Sequence, residues 1–206
     1  YPLLPPTREA VDALLRGIAD PDEVLYTLPP GNGRVTPRKI AVACSMAGAT
    51  EREMAVVEAV LRAFDDPQQQ VRLRTVLMST SAHAPFVLVN GPITRTLGIN
   101  GGRACIGPGA QNQVNLRIGR AVTLALKNLG AWYPGVLDMD TIGSDRKNVI
   151  VISENVDESP WTPFHVDAGY GAEENTATLF VTLGETDVGF QGHLDADQLA
   201  RSISAS

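Results

Sequence analysis

Glu154 and His165 are the residues whose types and setting most clearly could do chemistry. Glu154 is the first polar residue after the apolar run Asn148–Ser153 (NVIVIS), and His165 lies between aromatic and apolar neighbours. A carboxylate at a strand end and an imidazole in apolar surroundings are groups that move protons near neutral pH. The stretch Glu154–Glu174 that holds them is polar, carries prolines and is too long for a simple turn. A Glu/His pair can also be half of a metal site, although no spacing completes one. The plainer alternative is a hydrogen-bonded loop with an internally satisfied histidine. Asp157, Glu158, Glu173 and Glu174 read as solvated charges.

The second candidate is a Gly/Asn-rich stretch, Val89-Asn90-Gly91-Pro92 and then Leu97 to Gly109, with Asn100, Gly107 and Gly109 inside it. Five glycines between positions 98 and 109 let backbone N–H groups approach a ligand. A long helix follows, and the free N–H groups of its first turn favour negative charge. Asn112, Asn115 and Arg117 could add side-chain donors. The expected ligand is a carboxylate or phosphate of a small-molecule substrate; a tight structural turn explains the glycines equally well. Their spacing fits neither a dinucleotide fingerprint nor an NTP-binding loop, so no cofactor is named. Cys105, inside the loop, is a candidate nucleophile or a small buried hydrophobe. Cys44 reads as an inert core thiol. His83, just before a strand, could line the same cleft; His193, near the tail, is a weaker candidate, and Asp140 or Thr141 could touch a ligand.

The elements that must position these groups follow from periodicity. Thr7–Ala10 opens a short helix with Val11, Leu14, Leu15 and Ile18 on one face. Leu28–Gly33 is a connector. Lys39–Met46 (KIAVACSM) predicts a buried strand. Thr50 and Glu53 form a capping box that starts a helix through Met54, Val57, Val60, Leu61 and Phe64. With Gly48 as the turn, these two elements predict the opening of a βαβ unit. Val71–Met78 predicts a second strand and Phe86–Val89 a third. Asn112–Leu129 predicts a long helix in which Gly119 and Ala121 leave room for close packing. Asn148–Ser153 and Thr176–Leu183 predict strands. The arm 1–36 and a tail 195–206, read as a fraying helix, flank a single α/β domain spanning 1–206. Its sheet is expected to be mixed or mainly parallel, with flanking helices.

Composition sets the outer bounds. The 206 residues carry a net charge of −6, which argues against a nucleic-acid or anionic-membrane surface. Aromatic residues are 5%, too few for a base-stacking platform. No apolar run is long enough to span a bilayer. Two cysteines at unrelated positions make neither a metal spacing nor a disulfide framework, which implies a reducing, cytoplasmic compartment.

A set of short motifs in order resembles a known group. They are Lys39-Ile40-Ala41-Val42, Met46-Ala47-Gly48, Val89-Asn90-Gly91-Pro92-Ile93, Leu97-Gly98-Ile99-Asn100, Gly107-Pro108-Gly109 and Ile118-Gly119-Arg120-Ala121. Thr141-Ile142-Gly143, Glu154-Asn155, Ser159-Pro160-Trp161 and His165-Val166 follow. Together they resemble bacterial proteins in which such a region precedes, or is paired with, a UGSC-type domain. That domain is named for a Sec/Cys-Gly-Ser-Cys motif and presumed thiol- or selenol-active. The resemblance covers roughly Pro5 to Leu183. Two departures count: Ala49 stands where the family often has a cysteine, and the Sec/Cys-Gly-Ser-Cys motif is absent. The resemblance therefore implies that any redox thiol comes from a second polypeptide, or that this chain does non-redox chemistry. The resulting expectation is a hetero-oligomeric enzyme subunit of lyase, hydratase or thiol-dependent reductase type, with Glu154 and His165 as the proton-moving pair. The alternative is a non-catalytic binding or scaffold subunit that stabilises an active partner.

Overall fold

The computed structural model describes residues 3–185 and 195–204; His193 lies outside the described residues. Among the described residues, eight helices and five strands follow one another. They are α1 (Arg8–Leu14), β1 (Tyr26–Leu28), β2 (Gly33–Val35), α2 (Pro37–Ala47), α3 (Glu51–Ala63), α4 (Gln70–Leu77), β3 (Ala84–Asn90), α5 (Ile93–Leu97), α6 (Gln113–Asn128), β4 (Ile150–Ser153), α7 (Phe164–Asp167), β5 (Thr176–Thr182) and α8 (Ala196–Ser204). The fold is α/β, with a three-stranded mixed sheet in the order β4-β3-β5. β3 runs parallel to β4, with Val89 opposite Ser153, and antiparallel to β5, with Asn90 opposite Thr176. β1 and β2 form a separate hairpin around the Leu28–Gly33 connector.

Two expected strands are helices. Lys39–Met46 lies within α2, and the expected βαβ opening is instead a pair of helices joined at Gly48. Thr36 caps α2 by accepting from the Lys39 N–H, Pro37 sits in its first turn, and Gly48 closes it at φ +76°. Ile40, Ala41, Cys44 and Ala47 form a buried stripe at helical spacing. The Thr-Pro start and the Gly stop are the local signals that favour this helix over the strand that the apolar run suggests. Val71–Met78 is α4 in all but its last residue. There Leu73 and Leu77, one turn apart, face the core, while Val71 is 79% exposed, so the apparent alternation is helical. The capping box of α3 forms as expected, with the Glu53 carboxylate accepting from the Thr50 N–H at 2.7 Å.

The βαβ unit that does exist is β3–α6–β4. Helix α6 packs on α2, α3 and β4, burying Ile118, Ala121, Val122, Ala125 and Leu126. A Cβ at Gly119 would stand 1.9 Å from the Val149 carbonyl oxygen, so glycine is what lets this helix lie on the sheet. Val87 and Val89 turn into that core, with Ala177, Leu179 and Val181 of β5 packed against it. The opposite face of the sheet, with Phe86, Leu88, Ile150, Ile152 and Phe180, is half-buried. Phe164 of α7 reaches it, with its ring 5.8 Å from that of Phe180. Among the described residues no helix is long and apolar enough to cross a membrane.

Candidate functional site

Because β3 and β4 are parallel, their C-terminal ends fall on the same edge of the sheet. Val89 pairs with Ser153, so the next residues, Asn90 and Glu154, become neighbours although they are 64 positions apart. The antiparallel β5 starts at that edge and sets Thr176 opposite Asn90. Topology thus gathers an amide, a carboxylate and a hydroxyl where open α/β sheets commonly bind ligands.

The Asn90 side-chain N–H₂ donates to Glu154 Oε2 at 2.5 Å, and the same oxygen accepts from the Phe164 N–H at 2.9 Å. The second bond fixes the start of α7, the helix that carries His165, at the carboxylate. Glu154 Oε1 receives no hydrogen bond among the described residues. The Asn90 amide has one sensible orientation, since the reverse would turn its oxygen toward a carboxylate oxygen. Asn90 Oδ1 is consequently buried without a partner among the described residues. His165 is 4% exposed, and its Nε2 stands 3.4 Å from the Ala172 carbonyl oxygen. A carbonyl only accepts, so Nε2 carries the hydrogen and Nδ1 bears the lone pair in the neutral ring. Among the described residues Nδ1 is also buried without a partner, as is Thr176 Oγ1. Each such group costs about 1–3 kcal/mol when left unpaired. All three sit on elements joined through Asn90, Glu154 and β5.

Segment 172–176 is strapped to the start of the glycine stretch. Asn175 Oδ1 accepts from the Ile93 N–H at 2.8 Å, and a Cβ at Gly91 would stand 2.3 Å from the Glu174 carbonyl oxygen. Gly91 also holds φ +94°, so the close approach and the backbone both require glycine there.

The rest of the Gly/Asn stretch is organised differently. The Asn100 N–H donates to Asn115 Oδ1 at 2.9 Å, and Asn115 Nδ2 donates to the carbonyls of Asn100 and Val151. The Asn100 side chain donates to Asn112 Oδ1, and Asn112 Nδ2 donates to the carbonyls of Ala104 and Gly107 at 2.6 Å each. These asparagines use their bonding capacity on the loop itself and on the neighbouring strand β4. Ser153 closes the join by donating its hydroxyl to the Ile99 carbonyl at 2.7 Å, so the loop packs directly beside Glu154. Gly109 precedes the 3-10 turn Ala110–Asn112 that leads into α6.

Other candidates lie elsewhere. Arg117 pairs with the buried Glu53 at 2.5 Å, on the α3 side of α6. His83 precedes β3, roughly 20 Å along the strand from Asn90, and its Nδ1 meets Ser79 Oγ at 3.2 Å. Cys105 is half-buried in the loop, and Cys44 is buried. Burial, followed by the nearby Glu53, pushes the Cys44 thiol up to about 12. Asp140 is ion-paired with Lys147, which also bonds Asp138 and lies 5.3 Å from the centre of the Trp132 ring. The Gly143 N–H, with Lys147, holds the Asp140 carboxyl below its usual range. Thr141 donates its hydroxyl to the Thr80 carbonyl.

Thr176 and Asn175 escaped the sequence reading. An Asn-Thr pair opening a strand is a faint signal, and its meaning came only with the β5 register. Two surface cavities, of about 420 and 290 Å³, lie where α1 meets residues 48–51 and beside Trp132 and Lys147. Neither is lined by Asn90 or Glu154. Among the described residues no group of three His, Cys, Asp or Glu side chains is placed to hold a metal ion. No protein family, curated protein or solved structure matches this chain.

Proposed function

We propose that this chain is a subunit of a small-molecule enzyme in which Glu154 and His165 carry the proton transfers. One observation carries the reading. The Glu154 carboxylate is fixed by Asn90 at 2.5 Å at the ends of two parallel strands and bonded to the first N–H of α7, while Asn90 Oδ1 and, on α7, His165 Nδ1 are buried without partners among the described residues. Stored bonding capacity of this kind is characteristic of binding and catalytic centres. Glu154 Oε1 is the free acceptor that would take a proton from a substrate carbon or hydroxyl, and His165 Nδ1 would hold or return one. The reaction class that fits is a lyase or hydratase. A thiol-dependent reductase would draw on Cys105 of the neighbouring loop or on a partner's thiol, since Cys44 is buried. Substrate anion binding at the Asn90–Asn115 stretch would rest on backbone N–H groups, because its asparagine amides are engaged. A second polypeptide completes the assembly, and the resemblance points to one with a Sec/Cys-Gly-Ser-Cys motif. The compartment proposed is the cytoplasm.

The test is to incubate the chain, with whatever polypeptide co-purifies, in a mixture of cellular metabolites and follow consumption by mass spectrometry. Wild-type protein should consume at least one compound, and Glu154→Gln and His165→Ala should each abolish this. Consumption that survives both substitutions would falsify the proposal. A non-catalytic binding subunit is the second reading, supported by the half-covered apolar sheet face and by Trp161, which is 79% exposed. It predicts partner binding with no residue-dependent turnover.

A further inference from the structure

The hydrogen-bonding sense of the Asn90–Glu154 corner identifies the chemical group that it would take. Asn90 Oδ1 is an acceptor whose orientation the Glu154 contact dictates. His165 Nδ1 is an acceptor because Nε2 faces the Ala172 carbonyl. Thr176 Oγ1 can accept, and Glu154 Oε1 is an acceptor with a formal charge. The side-chain amide donor of the corner, the Asn90 N–H₂, is already turned to Glu154. Asn90 and His165 are 2% and 4% exposed, so their unpaired atoms are shut off from solvent. The chain between β4 and β5 agrees in sign: residues 154–175 include Glu154, Asp157, Glu158, Asp167, Glu173 and Glu174 and no lysine or arginine. Arg95, which reaches this segment, is paired with Asp157 at 2.5 Å.

We propose that this corner binds the primary ammonium group of an amine-bearing small molecule. The inference rests on the reading of the corner as a ligand site. An ammonium supplies three donors and a positive charge, which match these acceptors and the carboxylate. A carboxylate or phosphate brings only acceptors and would meet Glu154 with like charge. A substrate anion, where present, would sit at the far end of the molecule, against the glycine stretch. Entry requires α7 to lift, because the Phe164 N–H is bonded to Glu154 and its ring lies against Phe180.

The experiment uses two probes of one carbon skeleton, n-propylammonium and propionate, at millimolar concentration and neutral pH. Nuclear magnetic resonance follows the Asn90 side-chain amide and the His165 ring nitrogens, with Zn²⁺ alone as a third arm. The ammonium should shift both sets of resonances in a saturable way, and propionate should leave them unmoved. Glu154→Gln should weaken the ammonium effect by about tenfold. Thr176→Val, which removes one acceptor and preserves shape, should weaken it by a few-fold while the thermal midpoint is retained. Absence of an ammonium effect, an equal effect from propionate, or Zn²⁺ acting where ammonium does not would each overturn the proposal. Ammonium binding without metabolite consumption would remove the catalytic reading alone; consumption without ammonium binding would remove the head-group assignment alone.

Discussion

Asn115 and Asn90 are the same residue type and nearly equally buried, at 4% and 2% exposure, yet they use their amides in opposite ways. Asn115 makes three bonds to backbone groups of two different elements, tying the glycine stretch to β4. Among the described residues Asn90 makes one side-chain bond, to Glu154, and leaves its oxygen unpaired. The first pattern is that of a structural strut. The second opposes folding, and proteins tolerate it where a ligand later satisfies the unpaired group. The difference teaches that the two asparagine-rich regions, adjacent in space, divide the work. One ties the glycine stretch to β4, and the other leaves bonding capacity unused among the described residues.

The contrast is most exposed to failure at Asn115. Asn115→Leu should destabilise the chain by about 3 kcal/mol, from three lost bonds and the backbone groups left behind, lowering the thermal midpoint by roughly 6–12 °C. A calorimetric loss below about 1 kcal/mol would remove the strut from the comparison. Gly91→Ala comes next, at about 2–3 kcal/mol, since its Cβ would collide with the Glu174 carbonyl and its φ is left-handed. Hydrogen exchange should show the loss of protection concentrated in segment 172–176. At the reserve corner Thr176→Val should change stability by no more than about 0.5 kcal/mol, or raise it, because an unpaired hydroxyl disappears. A large loss in urea unfolding would mean that Thr176 Oγ1 has a structural partner.

Two measurements outside both regions calibrate the comparison. Asp140 titrates below its ordinary value of 3.8, so its ionised form favours the folded chain. That contribution is complete above the ordinary value and is lost as pH falls through the lowered one. The stability gap between wild type and Asp140→Asn should therefore be present at neutral pH and close on acidification, which unfolding across a pH series would show. The smallest effect is chemical: Cys105 should react with a disulfide reagent in the native state, while Cys44, buried and pushed up to about 12, should react only after unfolding.

Local signals were legible where one short segment contained the whole cause. The Thr50–Glu53 box, the stripe of α6 and the β-rich runs at β3, β4 and β5 all formed. Lys39–Met46 and Val71–Met78 misled because buried helices and buried strands share apolar runs; for the first of them the Thr-Pro start and the Gly48 stop favour the helix, and its stripe is buried against α6. Glu154 and Asn90 were both candidates by type and position, in separate clusters. Nothing local joined them.

What the sequence determined by itself was the supply of chemistry: a carboxylate after a strand, a histidine in a long loop, and asparagines among glycines. What the tertiary structure decided was their use. A hydrogen bond is completed by whatever group the fold brings within about 3 Å, and the parallel register of β3 and β4 brought Glu154 to Asn90 across 64 positions. The packing of α6 on β4 gave Asn115 its strand carbonyl, while the sheet edge left Asn90 Oδ1 unpaired. Which asparagine is a strut and which is a reserve was therefore set by neighbours distant in the chain.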